Sequence, residues 1–202
     1  MIQVINSIFF ILSAALMSLL YIFSVQPARL EQRLGAKAYP VCRNLRIAAS
    51  GFEIIAVACY FLYFFFPFKL PGLNSYPWPY WVSAAIGIIT FVPSVVLMGI
   101  GLKHAGAEAM SPKKEHTMYG GIYRKIRHPQ AVGEVFIWPA VALLLHSPFL
   151  TLVSLIWFPL FYLYCFYEEK DLLLRYGDAY ARYRKEVGMF IPHSRPGVDL
   201  EI

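Results

Sequence analysis

Apolar residues run along this chain in blocks too long for ordinary core helices. They cover about residues 5–25, 47–66 and 81–102, and a last block runs over about 131–167. A helix of roughly 20 apolar residues crosses the ~30 Å hydrocarbon core of a bilayer, so each of the first three blocks predicts one membrane span. The last block is too long for one crossing. It is interrupted at "LHSPF" (145–149), where His146, Ser147 and Pro148 suit a turn. Two short helices forming a hairpin are expected there. The fold class predicted is an all-α integral membrane protein with about five transmembrane helices, the last two a helical hairpin. Spanning strands are excluded, because an open sheet in lipid leaves backbone groups unpaired. Farther on, Leu172, Leu173, Tyr176, Tyr180 and Tyr183 recur at intervals of three and four. This predicts a C-terminal amphipathic helix lying on the membrane surface. Asp171 with Arg175, and Asp178 with Arg182, are spaced to support it.

Composition agrees with a lipid environment. Apolar residues make up 58% and charged residues 15% of the 202, against roughly 25% charged in soluble domains. A net charge of +6 raises the question of nucleic acid, but the basic residues sit in short runs beside the apolar blocks, so no nucleic-acid partner is expected. Cys42, Cys59 and Cys165 lack metal or disulfide spacing and read as packing residues; no metal site is expected. No basic residue precedes Arg29, so the first block reads as a retained span rather than a cleaved leader.

The charges also orient the spans. Of the 18 Lys and Arg residues, all but Lys69 fall in alternate connections or in the tail. The positive-inside tendency then puts the N-terminus outside and the C-terminus in the cytoplasm. The 103–130 connection and the region after 168 therefore share one membrane face. The aromatic run "YPWPYW" (76–81) fits the opposite interface as an anchor. Residues 1–202 form one membrane domain: three N-terminal spans over 1–102, a region with two spans and the C-terminal helix over 103–192, and a loose tail over 193–202. Glu53 is an ionisable group within a span, where such groups are costly and are functional candidates, although it lies within about two turns of the basic connection; Glu134 lies inside the fourth span near its cytoplasmic end.

Two polar clusters on the shared face carry candidate chemistry. The first is "GGIYRKIRHPQAVGE" (120–134). Gly120 and Gly121 permit unusual backbone angles, Pro129 opens a helix, and Gly133 one turn later allows a close approach. The second is "YEEK" (167–170), with Glu168 and Glu169 at a span end. Adjacent residues on a helix point in different directions, so the two acids serve different partners. Together these groups suit a molecule with an α-amino group, an α-carboxylate, a ribose and an adenine. A carboxylate accepts from the ammonium or ribose, Arg127 holds the carboxylate through paired hydrogen bonds, and Tyr123 or Tyr167 covers the base. S-adenosyl-L-methionine has these parts; NADPH or a lipid phosphate also suits an arginine, a histidine and tyrosines.

The spacing G-x-Y-x-x-x-R-H-P-x-x-x-G, followed by E-E and then Y-G-x-x-Y-x-x-Y, resembles the isoprenylcysteine carboxyl methyltransferase family and the wider group of phospholipid methyltransferase-like membrane enzymes. The matching residues are Gly121, Tyr123, Arg127, His128, Pro129, Gly133, Glu168, Glu169, Tyr176, Gly177, Tyr180, Tyr183 and Pro192. The likeness covers about 103–192. Ala131 and Ile122 stand where the family often has tyrosine and proline. Membrane sterol reductases that use NADPH carry a stretch similar to "RHPQAVGE", ending in Glu134, but are usually longer. The resemblance implies an S-adenosyl-L-methionine-dependent methyltransferase with a lipidic or prenylated acceptor entering from the bilayer. It favours carboxyl O-methylation of an isoprenylcysteine-like substrate, with N-methylation of a phospholipid amine and NADPH-dependent reduction as alternatives. It implies a cofactor site of Gly121, Tyr123, Arg127, His128, Pro129, Gly133, Glu168 and Glu169, with Arg127 and Glu168 closest to the chemistry.

Overall fold

The computed structural model describes residues 1–114 and 120–192, so the tail expected over 193–202 lies outside the described residues. Among the described residues the chain forms eight α-helices: α1 (Ile2–Ser24), α2 (Pro27–Leu34), α3 (Ala38–Phe65), α4 (Tyr80–Ala105), α5 (Pro129–Leu144), α6 (Pro148–Ser154), α7 (Trp157–Tyr176) and α8 (Asp178–Glu186). Four stretches, Ile2–Ser24, Pro27–Phe65, Tyr80–Ala109 and Pro148–Tyr176, are long and apolar enough to cross a membrane. The fifth, α5, has 16 residues. At about 1.5 Å rise per residue it reaches roughly 24 Å, short of a full bilayer core.

The bundle is built on two closely packed helix pairs, α1 with α3 and α4 with α5, and α7 packs against α1, α2 and α5. Pairing in α4–α5 depends on small residues. A Cβ at Gly133 would lie 2.5 Å from the Ser94 carbonyl oxygen, and one at Gly101 would lie 3.1 Å from the Gln130 backbone nitrogen. Aromatic rings fill the other half of the core. Trp138 stacks on Trp157 at 4.3 Å, and Tyr60 meets Trp138 edge-on. Polar tips find partners at span depth: the Tyr60 hydroxyl donates to the Leu150 carbonyl (3.0 Å) and the Tyr164 hydroxyl to Ser18 Oγ (2.6 Å). Such pairing is what a medium without water demands. The three cysteines are buried and free.

The expected hairpin turn falls at 145–147, where Ser147 caps α6 by accepting from the Leu150 N–H. Two expectations from spacing are revised. The second span begins earlier than its apolar block, because α3 carries Arg43 and Arg46 in its first turns. Buried Arg46 donates there through its two terminal nitrogens to the carbonyls of Ser24, Glu108 and Ala109. The C-terminal helix is also not one continuous surface helix. Gly177, at φ +56°, separates α7 from α8. The buried Tyr180 and Tyr183 pack with Val187 against Leu172, Leu173 and Tyr176, so the apolar face seals the protein rather than meeting lipid.

Asp171 and Arg175, spaced as a helical pair, engage other partners. Asp171 accepts from the backbone N–H groups of Arg29 (2.8 Å) and Ala28 (3.1 Å), capping the first turn of α2 from α7. Arg175 binds Glu108 at 2.7 Å. Losing a side-chain cap costs about 0.5–2 kcal/mol. Asp171→Ala should therefore lower the thermal unfolding midpoint in detergent, and an unchanged midpoint would show that α2 does not depend on this cap.

Candidate functional site

Five polypeptide stretches meet at one end of the bundle: the start of α3, the end of α4, residues 121–128, the end of α7, and α8 with the segment after it. Parallel pairing between Ile126 and Gly188 holds the 120–134 stretch to the C-terminal segment. The Arg127 N–H donates to the Gly188 carbonyl (2.9 Å) and the His128 N–H to the Met189 carbonyl (3.2 Å). The two polar clusters are thus neighbours through backbone as well as side chains.

Glu168 and Glu169 divide their work, as adjacent residues on a helix must. Glu169 is buried and receives three basic side chains: Arg127 Nε at 2.7 Å, Arg184 Nε at 3.0 Å and His128 Nε2 at 3.2 Å. Glu168 lies 3.4 Å from His128 Nδ1 and lines a cavity. Both ring nitrogens of His128 therefore face carboxylates. Burial works against the charged ring, but Cys165, Glu168 and Glu169 beside it outweigh burial and hold its pKa well above 6.5. A group whose folded pKa is raised contributes its full stability below its unfolded value, about 6.5, and loses it as pH rises through the folded value. Thermal stability should therefore decline on the alkaline side, and His128→Asn should flatten that decline. An identical slope in the variant would contradict the assignment.

Arg127 is more committed than its spacing suggested. Besides Glu169, its guanidinium donates to the carbonyls of Arg184 and Val187. It fastens the segment after α8 while still lining the cavity. Tyr123 is buried. Its hydroxyl donates to the Gly101 carbonyl and accepts from Gln130, and its own carbonyl accepts from the Tyr183 hydroxyl (2.6 Å). Burial raises the pKa of the Tyr123, Tyr180 and Tyr183 phenols, so all three stay neutral hydrogen-bonding groups.

The other spaced residues serve as framework. Gly121 sits at φ +64°, and a Cβ there would lie 2.8 Å from the His104 ring. Pro129 is buried at the first turn of α5, and Gly133 is the α4–α5 contact already described. Tyr167 packs beside Phe166 and under Lys170, away from the cavity wall, where Tyr176, Tyr180 and Tyr183 stand instead.

A second cavity adjoins the first at span depth, lined from α1, α3, α4, α5 and α7. Arg46, Gln130 and Glu134 line both. Glu53 lines the deeper one together with Glu134. Its place within a span flagged Glu53, and the motif stretch included Glu134. Neither signal flagged Arg46, which read as one more orienting charge; its position at the edge of an apolar block was the available signal.

Residues 82–179 match the family described as phospholipid methyltransferase. A protein-S-isoprenylcysteine O-methyltransferase from Schizosaccharomyces pombe is 31% identical over 116 residues, which cover 54% of this chain and 49% of that protein. The chain thus spans about half the length of the curated relative it matches. No solved structure matches it. The two matches support the isoprenylcysteine and phospholipid methyltransferase-like family that the motif spacing resembles.

Proposed function

Taking residues 82–179 as a core of that family, we propose that the chain is a multi-pass membrane methyltransferase that uses S-adenosyl-L-methionine on a lipidic acceptor. The observation that carries this is the pair of adjoining cavities. One has a charged and aromatic wall near the bundle end; the other lies at bilayer depth; they meet at Arg46, Gln130 and Glu134. The first suits the donor. Glu168 presents a carboxylate to an ammonium or ribose hydroxyls, and Tyr176, Tyr180 and Tyr183 offer ring faces to an adenine. The second suits an amphiphile entering sideways from the bilayer, because Met17, Met98 and Leu102 line it. When bound, the donor supplies an activated methyl group on sulfur.

The chain's own residues position the reactants and shield them from water, and bringing two reactants together accounts for much of the acceleration of such a transfer. Arg127, His128 and Glu169 keep the donor wall rigid, and α8 covers it. The charge pattern supports a cytoplasmic site with the N-terminus outside. The acceptor follows the names of the similar proteins: a prenylated cysteine or a phospholipid. Titration of purified protein in detergent with S-adenosylhomocysteine tests the donor site. Saturable binding is expected, and no binding with an intact helical signal would overturn the proposal. Oxidation of NADPH with an unsaturated lipid would favour the reductase alternative.

A further inference from the structure

A separate cavity of about 150 Å³ lies between α1, α3 and α6. It is remote from the site above. Asn6 borders it and Tyr21 borders the cavity beside Glu168, which puts the two roughly 22 Å apart along α1 at about 1.5 Å per residue. α6 packs mainly on α5, which leaves this gap towards α1. The walls are aromatic: Phe10 lies 5.4 Å from Tyr60, and Tyr63 stacks on Phe149 at 5.0 Å. Ile11 lines the cavity and is itself exposed, so the space opens sideways towards lipid. Asn6 is 5% exposed. Its Nδ2 donates to the Cys59 carbonyl at 3.0 Å, and its Oδ1 has no hydrogen-bond partner. A buried acceptor without a partner is costly, the more so where no bulk water can reach it. Two neighbours offer acceptors as well. Ser7 Oγ donates to the Gln3 carbonyl and the Tyr60 hydroxyl to the Leu150 carbonyl, each at 3.0 Å, so their protons are already used. None of the lining residues is charged.

We propose that this cavity binds the hydroxyl end of an uncharged membrane lipid. An alcohol O–H supplies the donor that Asn6 Oδ1 lacks. An ether or a fully esterified lipid has no proton to give. An ammonium would lose its hydration with no carboxylate to replace it, and a phosphate would bring negative charge against acceptors. Size sets how much of the lipid is seated. A cavity of this volume holds a molecule of benzene size, so about six non-hydrogen atoms lie inside and the remaining apolar part leaves past Ile11 into the bilayer. Depth agrees with a lipid hydroxyl. Asn6 lies in the second turn of α1, and α6 starts at Pro148 just after the hairpin turn, so the cavity is near the membrane surface opposite Glu168. A lipid seated there bridges α1 to α6 and stabilises the bundle.

The test is a thermal-unfolding titration of the full chain in lauryldimethylamine oxide, a detergent without hydroxyl groups, using 1-decanol and its methyl ether. Decanol should raise the midpoint saturably. The ether should bind on the order of tenfold more weakly, the loss of one hydrogen bond to a buried acceptor. Asn6→Leu keeps the volume and removes the acceptor, so decanol and the ether should bind it alike. Val153→Phe fills the cavity from α6 and should abolish both shifts; it carries the comparison if Asn6→Leu does not fold. S-adenosylhomocysteine affinity should be the same in both variants as in wild type, because the two sites are far apart. Dioctanoylglycerol and cholesterol in the same assay separate a glyceride from a sterol as the source of the hydroxyl. Equal shifts from decanol and the ether in wild type would show apolar partitioning only and overturn the proposal. So would the absence of any shift, which would assign Asn6 Oδ1 to water. Rejection of both lipids by a protein that binds decanol would overturn the lipid assignment.

Discussion

Glu169→Ala should remove both folding stability and donor binding. The carboxylate is buried and receives Arg127, Arg184 and His128. Removing the partner of a buried charge costs about 3–5 kcal/mol, because the remaining charge is left without compensation. Arg127 also holds the carbonyls of Arg184 and Val187, and the backbone beside it pairs with Gly188 and Met189. The loss would therefore spread to the segment that closes the cavity. A large fall in the thermal midpoint is expected, together with loss of S-adenosylhomocysteine binding. Glu169→Gln keeps the shape and two hydrogen bonds and should fall between wild type and the alanine variant. Glu168→Ala is the contrast: Glu168 touches only His128 among these three basic groups and lines the cavity, so it should cost binding and leave the midpoint nearly unchanged. If both alanine variants lose binding with equal midpoints, the division of labour between the two glutamates is wrong.

Gly133→Val should disrupt the bundle itself. A Cβ at this position would meet the Ser94 carbonyl oxygen at 2.5 Å and the Met98 backbone nitrogen at 2.7 Å. Both contacts are backbone, so no side chain can rotate away, and α4 and α5 must separate. Overpacking a tight core costs about 1–3 kcal/mol or more, and a β-branched residue at a helix contact lies at the upper end. Low yield of folded protein in detergent is expected. Gly51→Val is the control, since a Cβ there meets nothing within 4 Å. Equal yields from the two variants would contradict the close-contact role.

These two residues also show how far the sequence reaches. Hydrophobic block length predicts the spans and the hairpin turn, because lipid imposes one length and one backbone solution. Charge alternation predicts that the 120–134 stretch and "YEEK" share a face, and the structure brings Arg127, His128, Glu168 and Glu169 into contact. Spacing does not say which glutamate faces inward, since that depends on the rotation of α7 against α5. It assigns Gly133 to a close approach without saying to what, and the partner is α4, more than thirty residues earlier in the chain. It reads Tyr180 and Tyr183 as a lipid-facing stripe, because a hydrophobic period does not distinguish burial against lipid from burial against protein. Arg46 is hidden for a different reason: its partners are the carbonyls of Ser24, Glu108 and Ala109, and backbone acceptors leave no trace in a residue pattern.

The central claim is methyl transfer at the junction of the two cavities. It is tested most directly by incubating the purified full chain with methyl-labelled S-adenosyl-L-methionine and a membrane lipid extract supplemented with S-farnesylcysteine. The account predicts label in an organic-soluble acceptor, and its loss in Glu168→Ala. No incorporated label from a folded protein that binds S-adenosylhomocysteine would contradict it.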